Sequence, residues 1–245
     1  MIRFYARPPT RNLLLFVVLS VVFAWFGKKV RGVAADGAVA GAVVCFVLLL
    51  SAGMAGFAVL LCLFALTWAS TKFGYVRKQR LGIAEKPSGR DAQQVLANLG
   101  VAAACAVAFR LTGSGRFLVA MGAALAEAAA DTVSSEIGQA IGGAPRLITN
   151  WSRVPAGTNG AVTLTGSVAG VLAATIVSLV CWITGIFGVR SALVCGASGI
   201  LGTIADSVLG ATIERRPLLG NNGVNLISTV VAASIALVIL MLLRN

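Results

Sequence analysis

The chain alternates eight long apolar stretches with short polar ones. A helix needs about 20 apolar residues to cross the hydrocarbon core of a bilayer, and the eight stretches approach that length: 12–27, 34–51, 54–71, 94–111, 117–135, 163–187, 191–212 and 224–243. Charged residues make up 11% of the chain, whereas soluble domains average about 25%. The pattern predicts an all-α, polytopic transmembrane bundle of seven to eight spans, some short or broken. We expect one membrane-embedded domain over residues 1–245.

The basic residues predict how the bundle is oriented. Thirteen of the twenty Lys and Arg residues fall in four loops on one side: 28–33, 72–93, 136–162 and 213–223. Because Lys and Arg are enriched in cytoplasmic loops, we expect an integral protein of an inner or plasma membrane with these loops in the cytoplasm. Both termini then lie on the opposite side. The basic residues near the N terminus argue against this assignment.

The acidic residues are few and lie toward those same four loops. The eight are Asp36, Glu85, Asp91, Glu127, Asp131, Glu136, Asp206 and Glu214. A carboxylate at the bilayer centre costs about 2.5–3.5 kcal/mol, so acids in spans usually face a wet cavity or the bundle interior. Here they are mixed with Arg and Lys. Carboxylate oxygens suit Mg²⁺ and basic groups suit phosphate, so the pattern predicts a polyphosphate site. Charge-paired loop residues are the alternative.

Spacing constrains this site. Asp131 and Glu136 are five residues apart and point away from each other on a regular helix. They reach one metal only if the helix ends or unwinds near Ser134–Ser135. A faint internal repeat, AADTVSSEI against IADSVLGATI, predicts that Asp131 and Asp206 occupy matching helix ends. The turns GTNG and GNNG offer backbone amides suited to phosphate, with an ordinary turn as the alternative.

Several of these strings resemble those of a known family. ADTVSSEIG (130–138), PRLITNWSRVPAGTNGAVTLTGSVAG (145–170), LGTIADSVLGATIE (201–214) and NNGVNLIST (221–229) resemble the chloroplast and cyanobacterial phytyl-phosphate kinases. Those enzymes belong to a wider integral-membrane family of archaea, bacteria and animals. RGVAADGAVAG and SGRDAQQVLANLG fit the same family. The family also looks distantly similar to CTP-dependent dolichol kinases and lipid cytidylyltransferases.

The resemblance implies a phosphotransferase. Its donor would be CTP or another nucleoside triphosphate, its cofactor Mg²⁺, and its acceptor an isoprenyl monophosphate such as phytyl or geranylgeranyl phosphate. We expect the lipid substrate, the nucleotide and membrane lipids as partners, and no nucleic acid; the oligomeric state is not indicated. The matched motif positions are Asp131, Ser134, Ser135, Glu136, Arg153, Gly157, Thr158, Asn159, Asp206, Ser207, Asn222 and Asn225.

From these positions and the basic loops we assign individual roles. The predicted catalytic residues are Asp131, Arg153 and Asp206, and the predicted metal ligands are Asp131, Glu136 and Asp206. The predicted nucleotide or phosphate contacts are Arg146, Asn159, Asn222, Asn225, Lys86, Arg90 and Ser135. The chain has no histidine. A phosphate acceptor, with a second pKa near 6, is already anionic at neutral pH and needs no general base.

Other functions stay open from the sequence. A lipid-alcohol kinase or a lipid cytidylyltransferase would use a similar set of residues. A secondary transporter or ion exchanger also fits intramembrane acids and a repeat, but it would place polar residues toward the midplane with access from both sides.

Overall fold

The computed structural model describes residues 12–214 and 219–243. Eight helices account for most of the described residues: α1 (Leu13–Lys29), α2 (Ala35–Lys72), α3 (Tyr75–Arg80), α4 (Ala92–Thr112), α5 (Arg116–Ile141), α6 (Leu164–Ile183), α7 (Val189–Leu209) and α8 (Asn221–Leu242). A π-helical turn, Gly210–Glu214, extends α7.

The predicted all-α polytopic bundle is confirmed. Each of the eight apolar stretches coincides with a helix or with one half of a helix. By length and composition, six described helices are suited to cross a membrane: α2, α4, α5, α6, α7 with its π-helical turn, and α8. The first span, α1, has 17 residues. Large apolar side chains on the outer faces of α1, α6 and α7 are exposed, as expected where a helix meets lipid.

The long helix α2 reverses direction at Gly53, whose φ of 56° and ψ of −149° interrupt it. A straight helix of its 38 residues would be about 57 Å long, roughly twice the hydrocarbon thickness. Instead, the indole N–H of Trp68, near its end, donates to the carbonyl of Val30, just before its start, at 3.1 Å. Residues 35–52 and 54–72 therefore form an antiparallel hairpin that supplies two of the predicted spans.

Helix α5 is the centre of the bundle. It contacts α2, α4, α6, α7 and α8, and every residue from 118 to 130 is buried. Its many alanines face glycines on the neighbouring helices: a Cβ on Gly199 would lie 2.8 Å from that of Ala126, and one on Gly170 would lie 3.0 Å from the carbonyl oxygen of Ala130. Small residues permit this close approach, which is how helices pack inside a membrane.

The connections that were predicted to share one side do meet at one end of the bundle. We call this the polar end. Here the amide of Ala34 donates to the carbonyl of Arg90 at 2.9 Å, and the Thr71 hydroxyl donates to Glu136 at 3.1 Å. Helices α5 and α7 end there, and α4, α6 and α8 begin there. Arg215 and Arg216, counted in the fourth loop, lie outside the described residues.

A short two-stranded ribbon at the polar end was not predicted. Strands β1 (Arg146–Leu147) and β2 (Ala161–Val162) pair antiparallel within the segment between α5 and α6. The ribbon folds the intervening residues back over the helix ends, so the glycine-rich turn 157–160 lies beside α7.

Candidate active site

A cavity of about 650 Å³ opens at the polar end. Its size falls in the range of small-molecule sites, roughly 300–1,000 Å³. Residues from α4, α5, α6, α7 and α8 line it, together with the segments 83–90 and 145–163. Five of the eight acidic residues face it: Glu85, Asp131, Glu136, Asp206 and Glu214. The predicted gathering of acids is therefore present as one shared hollow.

Asp131 on α5 and Asp206 on α7 lie side by side in this cavity. The two helices run in the same direction, both toward the polar end, and pack closely where Gly199 meets Ala126. Matching positions on parallel helices bring the two aspartates to the same depth, as the internal repeat predicted. Asp206 Oδ2 is buried and has no hydrogen-bond partner among the described residues. An acceptor left in this state favours a bound cation or proton.

Three other acids at the polar end have protein partners. Asp36 accepts a hydrogen bond from the amide of Ala92 at 3.1 Å, and Asp91 forms a capping box with Gln94 at the start of α4. Glu85 accepts from the Gln94 side chain at 3.3 Å. These carboxylates therefore complete the N terminus of α4 or its surroundings, and Asp131 and Asp206 are the adjacent pair that faces the cavity.

Glu136 is not part of that pair. Helix α5 continues without a break to Ile141, so the unwinding that would turn Glu136 toward Asp131 does not occur. The Glu136 carboxylate instead forms an ion pair with Lys78 of α3 and accepts a hydrogen bond from Thr71. No group of three His, Cys, Asp or Glu side chains with metal-site geometry occurs in residues 12–214 and 219–243. The predicted three-carboxylate metal site is therefore not assembled.

Glu127 lies one helical turn farther from the polar end than Asp131. Its side chain is 1% exposed, does not line the cavity, and leaves Oε1 without a partner among the described residues. Its Cγ would be 2.7 Å from a Cβ placed on Gly202. A glycine at that position of α7 therefore makes room for the buried glutamate.

Arg90 is the only Lys or Arg among the described residues that line the cavity. Its backbone is held at both ends, because its N–H donates to Gly32 at 3.2 Å and its carbonyl accepts from Ala34 at 2.9 Å. The guanidinium donates to the Thr132 hydroxyl at 3.2 Å and lies 3.9 Å from Glu85. A fixed guanidinium among five carboxylates is suited to one phosphate group.

Three helices direct their N termini at the cavity. Helices α4, α6 and α8 begin at the polar end, and Gln94, Gly166 and Asn221 from their first turns line the hollow. The positive ends of helix dipoles favour anions such as phosphate. Below them, Asn225 donates to Asn98 at 3.3 Å, so a buried amide pair joins α8 to α4.

The turn at 157–160 covers one side of the cavity, where Thr158 and Asn159 line it. Gly160 has a φ of 72°, and a Cβ there would lie 2.2 Å from the amide nitrogen of Ala211. Glycine is therefore required both by the backbone conformation and by the close approach of the π-helical turn. This contact fixes Asn159 beside α7.

The structure brings together some of the residues singled out from the sequence and separates others. Those lining the cavity are Asp131, Ser134, Ser135, Glu136, Gly157, Thr158, Asn159, Asp206, Ser207, Asn225 and Arg90. Arg146, Arg153, Lys86 and Asn222 are not among its lining residues. Arg146 and Arg153 are bridged within the ribbon, where the Arg146 guanidinium donates to the carbonyl of Trp151 at 2.8 Å. Lys86 is 70% exposed and pairs with Asp91.

Several lining residues had been given no role. They include Gln94 and Asn98, which are four residues apart on α4, and Thr132, which is next to Asp131 on α5. The exposed indole of Trp151 stands at the rim. The i, i+4 spacing of two amides in an otherwise apolar helix is the signal from which Gln94 and Asn98 could have been found.

The donor set fits magnesium bound together with a polyphosphate. Mg²⁺ prefers oxygen ligands and is usually held by one or two carboxylates plus substrate phosphates, not by a cage of protein ligands alone. Asp131 and Asp206 supply two adjacent carboxylates, and Asp206 Oδ2 has no described protein partner. The cavity leaves the remaining positions to the ligand.

Comparison with known proteins places the chain among membrane proteins. The family model described as "Integral membrane protein DUF92" matches residues 18–233. An uncharacterized membrane protein of Methanocaldococcus jannaschii is 34% identical over 229 residues, covering 93% of this chain and 94% of that protein. Protein VTE6, chloroplastic, of Arabidopsis thaliana is 30% identical over 236 residues, covering 92% of this chain and 69% of that protein. Protein PGR of Arabidopsis thaliana is 32% identical over 232 residues, covering 84% of this chain and 80% of that protein. No solved structure matches.

Proposed function

Because the chain belongs to the integral membrane family DUF92, in which its resemblance to the phytyl-phosphate kinases is confirmed, we propose that it phosphorylates an isoprenyl monophosphate. The donor is CTP or another nucleoside triphosphate, and the product is the isoprenyl diphosphate. One observation carries the proposal: Asp131 and Asp206 face a common cavity at the polar end of the bundle, next to Arg90 and the N termini of three helices.

The reaction requires positioning and charge neutralisation more than proton transfer. An oxygen of the prenyl monophosphate attacks the γ-phosphorus of the nucleotide. The bond from that phosphorus to the β–γ bridging oxygen breaks, and the nucleoside diphosphate leaves with the electron pair. Bound Mg²⁺ would neutralise phosphate charge, with Asp131 and Asp206 as its protein ligands. Arg90 and the first-turn amides of α8 would hold the remaining phosphate oxygens, because the cavity-lining amides of α4 and α6 already donate to Asp91 and Thr163.

The charge of the cavity supports a metal–nucleotide complex over a bare nucleotide. Five carboxylates and one arginine line it among the described residues, although the chain has a net charge of +12. A triphosphate alone would meet repulsion from the acids, whereas a magnesium complex brings its own countercharge. Asn159, Asn225 and Ser135 are the neutral polar contacts proposed for the nucleotide.

We place the polar end in the cytoplasm. The polar end carries most of the basic loop residues, and nucleoside triphosphates are supplied from that side. The prenyl phosphate would enter from the membrane with its headgroup at the level of Asp131.

The decisive assay supplies purified protein in lipid nanodiscs with Mg²⁺, labelled CTP, ATP or GTP, and a panel of prenyl phosphates and prenyl alcohols. We expect a prenyl diphosphate and a nucleoside diphosphate, resolved by mass. Pyrophosphate and a cytidylylated lipid would identify a cytidylyltransferase, and transfer to the alcohols alone would identify a lipid-alcohol kinase. Either result would overturn the proposal.

Arg90 provides a test of the phosphate contacts. Hydrogen bonds to charged groups contribute about 1.5–3 kcal/mol, so Arg90→Lys should raise KM for nucleotide or prenyl phosphate by about 10- to 100-fold. The lysine keeps the charge but loses the planar fork. Steady-state kinetics should be compared with Arg80→Lys, an exposed arginine at the same end. Equal kinetics for both variants would remove Arg90 from the phosphate site.

A transport function is less well supported. The cavity opens at the polar end, and beyond Glu127 the helices are packed with apolar side chains. There a Cβ on Gly122 would lie 3.0 Å from the sulfur of Cys195 and 3.2 Å from the ring of Phe187. Uptake of a prenyl phosphate or an ion into liposomes without nucleotide turnover would favour transport.

A further inference from the structure

The cavity has an apolar extension that the phosphate chemistry does not use. Its lining includes Gly170 and Val171 of α6, at the level where Gly170 packs against Ala130 and Ser134, and Ile200 of α7, which is farther from the polar end than Asp206. Val171 is seven residues into α6, and Ile200 is nine residues before the end of α7. At 1.5 Å per residue these positions lie about 10–14 Å from the polar end of their helices.

Helices α6 and α7 are joined at one end and separated at the other. Far from the polar end, the hydroxyl of Ser178 donates to the carbonyl of Ala192, and a Cβ on Gly196 would lie 3.5 Å from Ser178. Toward the polar end, both helices pack on α5 and the cavity lies between them. The pair therefore forms a wedge-shaped gap, with Ala130 and Ser134 of α5 as its back wall.

The front of this gap faces outward. Val171 on α6 and Ile204 on α7 both line the cavity, and the two residues are 43% and 47% exposed. Cavity-lining residues that keep this much exposed surface stand at the rim of an opening. The rim is apolar and lies on the lipid-facing side, next to the exposed Leu172.

We propose that the gap between α6 and α7 is a lateral portal through which the prenyl tail of the substrate extends into the bilayer while its phosphate lies beside Asp131. The proposal rests on the proposed function for the identity of the tail. The polar part of the cavity is continuous with the apolar part, so one amphipathic molecule can occupy both. Val171, Ile200 and Ile204 are then the residues that contact the tail and determine chain-length preference.

The portal predicts an effect that depends on chain length. Val171→Trp and Ile204→Trp should narrow the gap and lower kcat/KM for geranylgeranyl phosphate at least about tenfold relative to dimethylallyl phosphate, whose short tail does not reach the rim. Leu172→Trp and Leu201→Trp are matched controls, since both are exposed on the same helices and neither lines the cavity. An equal loss for both substrates, or the same selectivity change in the controls, would overturn the portal.

A second measurement does not depend on turnover. Geranylgeranyl phosphate carrying a diazirine on its tail is bound to the protein in nanodiscs without nucleotide, irradiated, and the labelled peptides are mapped by mass spectrometry. We expect labels at Val171, Ile200 and Ile204, reduced in the tryptophan variants. Labels spread evenly over lipid-facing residues would overturn the portal. Labelling at the portal by a protein that transfers no phosphate from any nucleotide would overturn the kinase proposal and leave the portal standing.

Discussion

Asp131→Asn and Asp206→Asn are each expected to lower kcat of phosphoryl transfer by about 10²- to 10³-fold, the scale found when one preorganised electrostatic contact to a developing charge is removed. Asparagine keeps the shape of the side chain and removes the charge that would hold magnesium. The Mg²⁺ concentration for half-maximal activity should rise as well. Nucleotide affinity, measured by calorimetry with and without Mg²⁺, should lose its dependence on the metal.

Glu127→Gln is the matched control for this pair. Glu127 is a buried acid on the same helix as Asp131, one turn away, and it does not line the cavity. Its replacement should leave the magnesium dependence of nucleotide binding unchanged. If Asp131→Asn and Asp206→Asn retain full activity, or if Glu127→Gln removes the magnesium dependence to the same extent, the assignment of the two aspartates as metal ligands is wrong.

Lys78→Ala is expected to lower the free energy of unfolding by about 3–5 kcal/mol, because removing one partner of a buried ion pair leaves the other charge uncompensated. The Lys78 side chain is 0% exposed. Its ammonium donates to Glu136 and to the carbonyls of Ser70 and Thr71, the latter two at 3.1 and 2.8 Å. The variant should also loosen α3 from α5. Unfolding in detergent, followed by circular dichroism, measures the loss.

Two further variants separate the ion pair from a general effect of charge. Lys86→Ala removes a lysine that is 70% exposed and paired with Asp91 at 3.5 Å; exposed pairs contribute about 0–1 kcal/mol. The double variant Lys78→Met, Glu136→Leu replaces both charges by apolar groups and should be more stable than Lys78→Ala alone. Equal destabilisation by Lys78→Ala and Lys86→Ala would contradict this account of the pair.

The sequence predicts the bundle well because membrane insertion depends on local apolar length. The apolar helices and the grouping of their loops follow from hydrophobicity, and the reversal within α2 coincides with the boundary expected between two stretches. The adjacency of Asp131 and Asp206 could also be predicted from the sequence, because the repeat places the two aspartates at equivalent positions on two parallel helices.

Other features depend on contacts between distant residues. Lys78 lies in the sequence YVRKQRLG, which reads as an exposed basic loop, and its partner Glu136 is 58 residues away. Nothing local indicates that this lysine is buried. Helix α5 continues past Ser135 to Ile141, and Thr163 packs closely on it there: a Cβ on Gly138 would lie 2.7 Å from the Thr163 hydroxyl. The unbroken helix turns Glu136 away from the aspartate pair.

The ribbon explains why two predicted arginines lie elsewhere. Arg146 and Arg153 were assigned to phosphate because they fall in a matched motif. A turn of only a few residues brings Arg146 and Arg153 into a backbone bridge and pairs β1 with β2. Along a strand, neighbouring side chains point to opposite faces. Two-residue strands leave no periodic signal in the sequence.

The enclosure of α5 has a consequence for biogenesis. This helix carries Glu127 and Asp131, yet the three helices that cover its far side, α6, α7 and α8, are synthesised after it. During translation the carboxyl groups of Glu127 and Asp131 therefore contact lipid or the insertion machinery until α6, α7 and α8 have been synthesised. Ribosome-stalled chains ending before α7 should therefore be captured by membrane chaperones and degraded, whereas chains that extend past α8 should mature.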